Sequence, residues 1–73
     1  MDRYLILRPI HANIARLRTA LGMTQADLAR VVGAAKSCVS DWESGVMAPA
    51  GKRLPIVAAA LGVSVSDLFA EAA

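Results

Sequence analysis

Apolar residues recur at helical spacing along this chain, and glycines separate the stretches that carry them. The first stretch has an apolar stripe at offsets of four, three and four residues, formed by Ile10, Ile14, Leu17 and Leu21. This spacing predicts a helix over residues 9–21, with Pro9 in its first turn and Gly22 at its end. Residues 1–8, which include the apolar run YLIL, are predicted to form a short N-terminal arm before it.

Two further helices begin with the spacing of a capping box, in which a Ser or Thr and a residue three positions later satisfy each other's backbone N–H groups. The segment TQAD at 24–27 opens helix 2, which ends at Gly33, and SVSD at 64–67 opens a short helix 5 that continues through Phe69. Both boxes have Asp where Glu or Gln is commoner. The apolar residues on these helices are Leu28, Val31, Val32 and Leu68.

Glycines also bound the two remaining helices. Helix 3 is predicted over about 35–44, before Gly45, and helix 4 starts near Pro55 and ends at Gly62. The core candidates of helix 4 are Ile56, Val57 and Leu61. Five helices without a clear strand pattern predict one all-α domain over residues 1–73, with residues 70–73 as a frayed tail.

Helix 3 has two unlike sides when its residues are placed at about 100° intervals. Ala35, Val39 and Trp42 fall on one side and are predicted to pack inward. The opposite side carries Ser37, Ser40, Asp41 and Ser44, with Lys36 at its edge. Exposed helix surfaces usually favour longer side chains that are better helix formers than serine. Short polar side chains would let this side of the helix approach another surface closely. The alternative interpretation is an ordinary serine-rich exposed side.

Composition narrows the class of protein. Seventy-three residues make one small domain, and the formal net charge of +2 is compatible with nucleic acid without indicating it. Cys38 is the single cysteine, so a disulfide within the chain is excluded. With one histidine besides, one chain cannot build a Cys/His zinc site, and a reducing, cytoplasmic setting agrees with this.

The sequence shows no pattern typical of an enzyme or of a membrane protein. No apolar run has the length of a membrane span or of a signal-peptide core. No nucleophile and base, metal-binding cluster or phosphate-cradling glycine loop has a recognisable spacing, so we expect neither catalysis nor a cofactor. Cys38 lies at the flank of helix 3, where a partly buried side chain is favoured over a redox switch. His11 is interpreted as an exposed residue of helix 1.

Four separated pieces of the chain together resemble the phage Cro and repressor helix-turn-helix proteins, also called the xenobiotic-response-element family. They are LGMTQADLA, the turn glycine Gly33, the ending WESG and the downstream ALGVSVSDLF. The resemblance extends from Ile14 to about Phe69. It implies a compact five-helix, lambda-repressor-like domain in which helices 2 and 3 form the helix-turn-helix and helix 3 enters the major groove of DNA.

The resemblance also implies roles for individual residues. Lys36, Ser37 and Asp41 match positions that reach base edges, and Ala35 and Ser40 flank them. Lys36 can donate to guanine or neutralise a phosphate, whereas Asp41 can accept from a cytosine amino group or hold Lys36 or another side chain in position. The positions expected to contact the DNA backbone are Gln25, Ser44, Lys52 and Arg53. The loop before helix 4 is about one residue longer than in the phage proteins, which weakens the carry-over to Lys52 and Arg53.

Two further matches concern the scaffold. Ala29 corresponds to the small residue at the close approach of helices 2 and 3. Arg18 and Glu43 correspond to a structural ion pair that holds helix 1 against helix 3. Glu43 lies near the apolar side of helix 3, and Arg18 lies beside the stripe of helix 1, so both are assigned to stability.

The predicted function is a sequence-specific DNA-binding transcriptional regulator, a repressor that blocks a promoter as a homodimer. Two copies of helix 3 would enter successive major grooves about 34 Å apart on a near-palindromic operator. The dimer surface is expected near Val63, Leu68 or Phe69, or alternatively at the YLIL segment. The competing prediction is a protein-interaction module of the same fold, such as an antiactivator or antitoxin. Restriction–modification controllers and antitoxins share the size, so the biological context stays open.

Overall fold

The computed structural model describes the backbone of residues 4–70 and the side chains of residues 10–70. Within residues 4–70 the chain forms no strand, which confirms the all-α prediction. Its helices, in chain order, are α1 (Tyr4–Ala20), α2 (Gln25–Val32), α3 (Lys36–Ser44), α4 (Leu54–Leu61) and α5 (Val65–Leu68), and a single 3-10 turn at Gly51–Arg53 precedes α4. In the part of the chain described, no helix is both long and apolar enough to cross a membrane.

The two capping boxes form as the sequence predicts. At the start of α2 the Thr24 hydroxyl accepts from the Asp27 backbone N–H at 3.0 Å, and the Asp27 carboxylate accepts from the Thr24 N–H at 2.8 Å. Ser64 and Asp67 repeat the arrangement at the start of α5, with distances of 3.2 and 3.0 Å. These hydrogen bonds favour the ionised carboxylates and hold the pKa of Asp27 and of Asp67 below the usual value.

The hydrophobic core is built by all five helices. α3 packs against α1 and α2, while α4 packs against α1, α2 and α5. The buried apolar residues are Ile10, Ile14, Leu28, Ala29, Val32, Val39, Trp42, Val57, Ala58, Leu61 and Leu68. Five of these, among them Val39 in α3 and Leu28 in α2, have no exposed surface at all. The inner side of α3 is therefore anchored in the core, and this fixes the direction in which its outer side faces.

The start of α1 corrects the predicted boundary. The helix begins at Tyr4, five residues before Pro9, so residues 4–8 are helical and do not form a separate arm. Proline supplies no N–H to the carbonyl four residues earlier, which weakens that turn without ending the helix. Leu5, Leu7 and Arg8 are good helix formers and favour its extension toward the N-terminus. The predicted arm at 1–3 and tail at 71–73 lie outside the described residues.

Several predicted core positions are wrong. Leu21, Val31 and Ile56 are 55%, 59% and 48% exposed. Leu21 follows the last residue of α1, where the helical stripe no longer applies, and the other two line an open surface depression between α2 and α4. Ala35 is exposed because it is the N-cap of α3, with extended backbone, and not part of its inner side.

A buried asparagine ties the first helix to the last. Asn13 is 2% exposed, and its Nδ2 donates to the carbonyls of Leu68 at 2.9 Å and Ala70 at 2.7 Å. Arg16 donates in turn to the Asn13 Oδ1 at 3.2 Å. α5 has only four residues, so its last carbonyls would otherwise be without partners inside the protein. Asn13 supplies those partners and fixes the end of the domain.

Candidate nucleic-acid interface

The turn between α2 and α3 sets the angle of the two helices. Gly33 ends α2 in the left-handed conformation, with φ of +72°, and its N–H donates to the Ala29 carbonyl. A side chain at this φ would be strained, which explains the glycine at the turn. Ala29 is 4% exposed between the helices, as expected for a small residue at a close approach.

The outer side of α3 carries the polar residues that the sequence placed there. Lys36, Ser37, Ser40 and Ser44 are exposed, and Asp41 is half-buried. Val39 and Trp42 are buried on the opposite side. The Ser44 hydroxyl donates to the Asp41 backbone carbonyl at 3.3 Å, within the last turn of the helix. The structure therefore brings these five polar residues together on one helix, at the surface of the domain.

The N-terminus of α3 differs from those of α2 and α5. Its N-cap is Ala35, which makes no side-chain hydrogen bond, and its first turn holds no acidic residue. The first helical residue is instead Lys36, a cation at the end of the helix where the peptide dipoles already place positive charge. This combination destabilises an isolated helix and favours an anion at that end.

Lys36 and Asp41 are not paired with each other in this structure. Within residues 10–70 the ion pairs are Arg18 with Glu43 and Arg30 with Asp27. Of the two predicted alternatives for Asp41, holding Lys36 is thus not seen in the DNA-free protein. Contact between Asp41 and a base remains a prediction.

Two polar contacts fasten α1 to α3. Arg18 binds the Glu43 carboxylate through two nitrogens, Nε at 2.6 Å and Nη2 at 2.9 Å, and its Nη1 donates to the Met23 carbonyl at 2.7 Å. About two helical turns earlier in α1, the His11 Nδ1 donates to the backbone carbonyl of Trp42 at 2.7 Å. His11 is half-buried, which corrects its expected exposure. The end of α3 is thereby held against the side of α1.

The Arg18–Glu43 pair is sequestered from solvent, with side chains 14% and 8% exposed. Burial of Glu43 opposes its ionisation, but hydrogen bonds from Arg18 and Gln25 and the charge of Arg18 outweigh burial and hold its pKa below the usual value. The hydrogen bond to Glu43 raises the pKa of Arg18. Both groups are charged at neutral pH, so the pair contributes no net charge to the surface.

Of the remaining residues predicted to contact DNA, some are exposed and others make hydrogen bonds within the protein. Gln25 is the first residue of α2, and its Nε2 donates to the Glu43 Oε1 at 3.1 Å. Lys52 is exposed in the 3-10 turn. The Arg53 guanidinium instead donates to the carbonyls of Val32 at 3.0 Å and Gly33 at 3.3 Å, at the end of α2. Sequence reasoning missed this capping role because it depends on a contact across the fold.

We expect the stability of the domain to fall as the pH drops from about 5 to about 2. The pKa values of Glu43, Asp27 and Asp67 are all lowered by folding, so the unfolded chain binds protons more readily. Their stabilisation is complete above the unfolded values near about 4 and is lost as the pH falls through the folded values. Urea unfolding at a series of pH values measures this, and Glu43→Gln should flatten the curve. Equal stability at pH 6 and pH 2.5 would contradict it.

Comparison with known proteins agrees with this geometry. A family model described as helix-turn-helix matches residues 14–68, about three quarters of the chain. The chain belongs to the helix-turn-helix family. The match begins in α1 and ends at the last residue of α5, so the five-helix domain rather than the α2–α3 motif alone is shared. The resemblance to Cro- and repressor-type proteins is confirmed.

A solved structure gives a second helix-turn-helix comparison. It is described as the master regulator for biofilm formation, SinR, in complex with DNA. The two chains are 34% identical, the alignment covers 84% of this chain and 98% of the SinR chain, and the TM-score is 0.77. No curated protein sequence gives a significant match. Together the two similarities confirm the predicted fold over nearly the whole described chain.

Proposed function

We propose that this protein is a DNA-binding transcriptional regulator that inserts α3 into the major groove. Membership of the helix-turn-helix family supports a regulator rather than an enzyme. The similar SinR structure was solved in complex with DNA, and the alignment covers 98% of that chain. What remains specific to this chain is how its own α3 would address the DNA.

The observation that carries the proposal is the combination of a buried inner side and an uncapped, basic N-terminus on α3. α2 and α5 each have a complete capping box, whereas α3, like α4, has no side-chain cap, and α3 begins with Ala35 and then Lys36. A helix end that is left unfavourable in the free protein is typical of a position where function takes precedence over stability. A DNA phosphate or a guanine edge would accept from Lys36 and from the free backbone N–H groups.

The face of α3 also sets the kind of recognition. Three serines, Ser37, Ser40 and Ser44, have short side chains that let the helix backbone approach the base edges. Serine both donates and accepts, so it discriminates poorly between bases. Sequence specificity is therefore assigned mainly to Lys36 and Asp41. Few cations lie on this face, so we expect modest affinity with a correspondingly small dependence on salt.

We further propose that the protein acts as a repressor and binds a near-palindromic operator as a homodimer. Leu68 is fully buried and cannot form the dimer surface that the sequence assigned to it. Phe69, 43% exposed at the end of α5, and the half-buried Val63 are the apolar candidates that remain there. Repression would follow from occupation of the promoter by the two copies.

The test is a titration of the protein with the DNA upstream of its own gene, at several salt concentrations, against scrambled DNA. We expect tighter binding to the upstream DNA, and we expect Lys36→Ala to weaken it by about 1–3 kcal/mol. A base contact of Lys36 would appear as lost specificity, whereas a phosphate contact would lower the salt dependence of log K by about one. Sedimentation of the same samples gives the number of copies on the DNA.

A matched control separates these effects from the loss of one positive charge. Arg16→Ala removes the same charge from an exposed position on the side of α1 that faces away from α3. It should leave the specificity unchanged. Equal binding of the wild-type protein to both DNAs would overturn the proposal and favour the protein-interaction module.

A further inference from the structure

The Glu43 side chain of α3 accepts hydrogen bonds from side chains of two other helices, α1 and α2. Its Oε2 and Oε1 take the Nε and Nη2 of Arg18 in α1, and the same Oε1 takes the Nε2 of Gln25 in α2 at 3.1 Å. An ion pair that only held α1 against α3 would be complete without Gln25. The third hydrogen bond joins the first residue of α2 to the last turn of α3.

We propose that Glu43 is a positioning residue that fixes the Gln25 side chain for contact with a DNA phosphate. This inference rests on the proposed function and assigns a further residue to the same interface. Glutamine is among the side chains that lose most rotamer freedom when they are immobilised. Because Glu43 fixes the amide in the free protein, binding to DNA no longer has to order it.

The chemistry of the amide group is compatible with both partners at once. The Nε2 of glutamine carries two hydrogens, of which Glu43 takes one. The second is left to donate to a phosphate oxygen. A lone carboxylate beside the DNA backbone would repel the phosphate, but Arg18 neutralises Glu43 within the same pair. Burial of that pair keeps the carboxylate directed at Gln25 and Arg18.

The position of Glu43 in the chain gives this contact a consequence for specificity. Glu43 lies on α3, two residues after Asp41 and seven after Lys36. The phosphate contact of α2 and the base contacts of α3 are therefore held by one side chain. Glu43 fixes the distance between them, and hence the register in which α3 meets the base pairs.

The experiment separates positioning from stability by replacing the whole pair. Arg18→Met with Glu43→Met removes the acceptor for Gln25 but replaces a buried ion pair by apolar side chains, which proteins often tolerate without loss of stability. Affinity for the DNA upstream of the gene is measured for this variant, for Gln25→Ala, and for the two combined. Thermal unfolding of each variant is measured in parallel.

We expect the pair replacement and Gln25→Ala each to weaken binding about threefold to tenfold, the range for one hydrogen bond. The combined variant should bind no more weakly than Gln25→Ala alone, because both changes remove the same contact. The Gln25 side-chain amide resonances should move toward the free-glutamine position in the pair-replaced protein. If that protein does not fold, Glu43→Gln with and without Gln25→Ala gives the same comparison with a smaller effect.

The outcomes distinguish this inference from the proposed function. Wild-type affinity in the pair-replaced variant, or losses that multiply in the combined variant, would overturn the role of Glu43 while leaving DNA recognition intact. A wild-type protein that does not prefer the upstream DNA over scrambled DNA would overturn the proposed function and the positioning role with it.

Discussion

Replacing Arg18 with methionine should destabilise the folded domain by about 2–3 kcal/mol, between the cost expected for an exposed pair and that for a fully buried one. The change leaves the Glu43 carboxylate, 8% exposed, without its charged partner, and it removes the donor to the Met23 carbonyl. Gln25 alone cannot compensate a buried negative charge. A domain of this size is expected to be stable by only about 4–11 kcal/mol, so the loss is a large part of the total. Urea unfolding followed by Trp42 fluorescence measures it.

Arg30→Met is the matched control for this prediction. Arg30 also pairs with a carboxylate at 2.6 Å, but its side chain is 73% exposed. Solvent screens such a pair, and we expect its loss to cost about 0–1 kcal/mol. Adding Glu43→Met to Arg18→Met should restore most of the lost stability, because no buried charge is then left unpaired. Similar losses for Arg18→Met and Arg30→Met would show that the buried pair contributes no more to stability than the exposed one.

The comparison of Arg18 with His11 shows why one attachment of α1 to α3 could be predicted and the other could not. Both residues lie on the side of α1 that faces α3, since they are seven residues apart. The pairing of Arg18 could be predicted because the family resemblance identifies Glu43 as its partner. His11 bonds to a backbone carbonyl, Trp42, and no side-chain type in the sequence marks that partner. Its interpretation as an exposed residue was therefore wrong.

Local chemistry explains what the sequence predicted well. A capping box is formed by residues three positions apart, so Thr24–Asp27 and Ser64–Asp67 were readable without knowing the fold. Helical periodicity gives the direction of a side chain around its axis, but not where the neighbouring helices end. Val31 and Ile56 have the spacing of core residues and are still exposed, at an open depression between α2 and α4.

The predicted DNA-contacting residues show the same division. Lys36 and the serines are on the surface because the opposite side of α3 carries Val39 and Trp42, a pattern visible in the sequence. Arg53 looked equivalent to Lys52 as one of two adjacent cations. Folding separates them, because the Arg53 guanidinium binds the end of α2 while Lys52 is exposed in the 3-10 turn. Charge alone could not assign these two roles.

Replacing Asn13 with leucine should destabilise the domain by about 2–3 kcal/mol. Leucine is similar in size and suits a buried position, so lost packing is not the cause. The Leu68 and Ala70 carbonyls lose the Nδ2 that now lies 2.9 and 2.7 Å from them, and the first of these is a buried contact. A buried acceptor without a partner costs more than a hydrogen bond contributes on average. For a domain of this length we expect a fall in Tm of roughly 10–20 °C.

The site of the damage distinguishes this effect from general destabilisation. Asn13 is the polar side chain by which α1 holds the end of α5, so the amides of Phe69 and Ala70 should lose protection from hydrogen exchange before those of α2 and α3. Arg16→Ala is the control, since it removes only an exposed donor to Asn13 and leaves both carbonyls paired. It should change stability by no more than about 0.5 kcal/mol. A loss as small as this for Asn13→Leu would contradict the prediction, because it would mean that water can replace Asn13 as the partner of the two carbonyls.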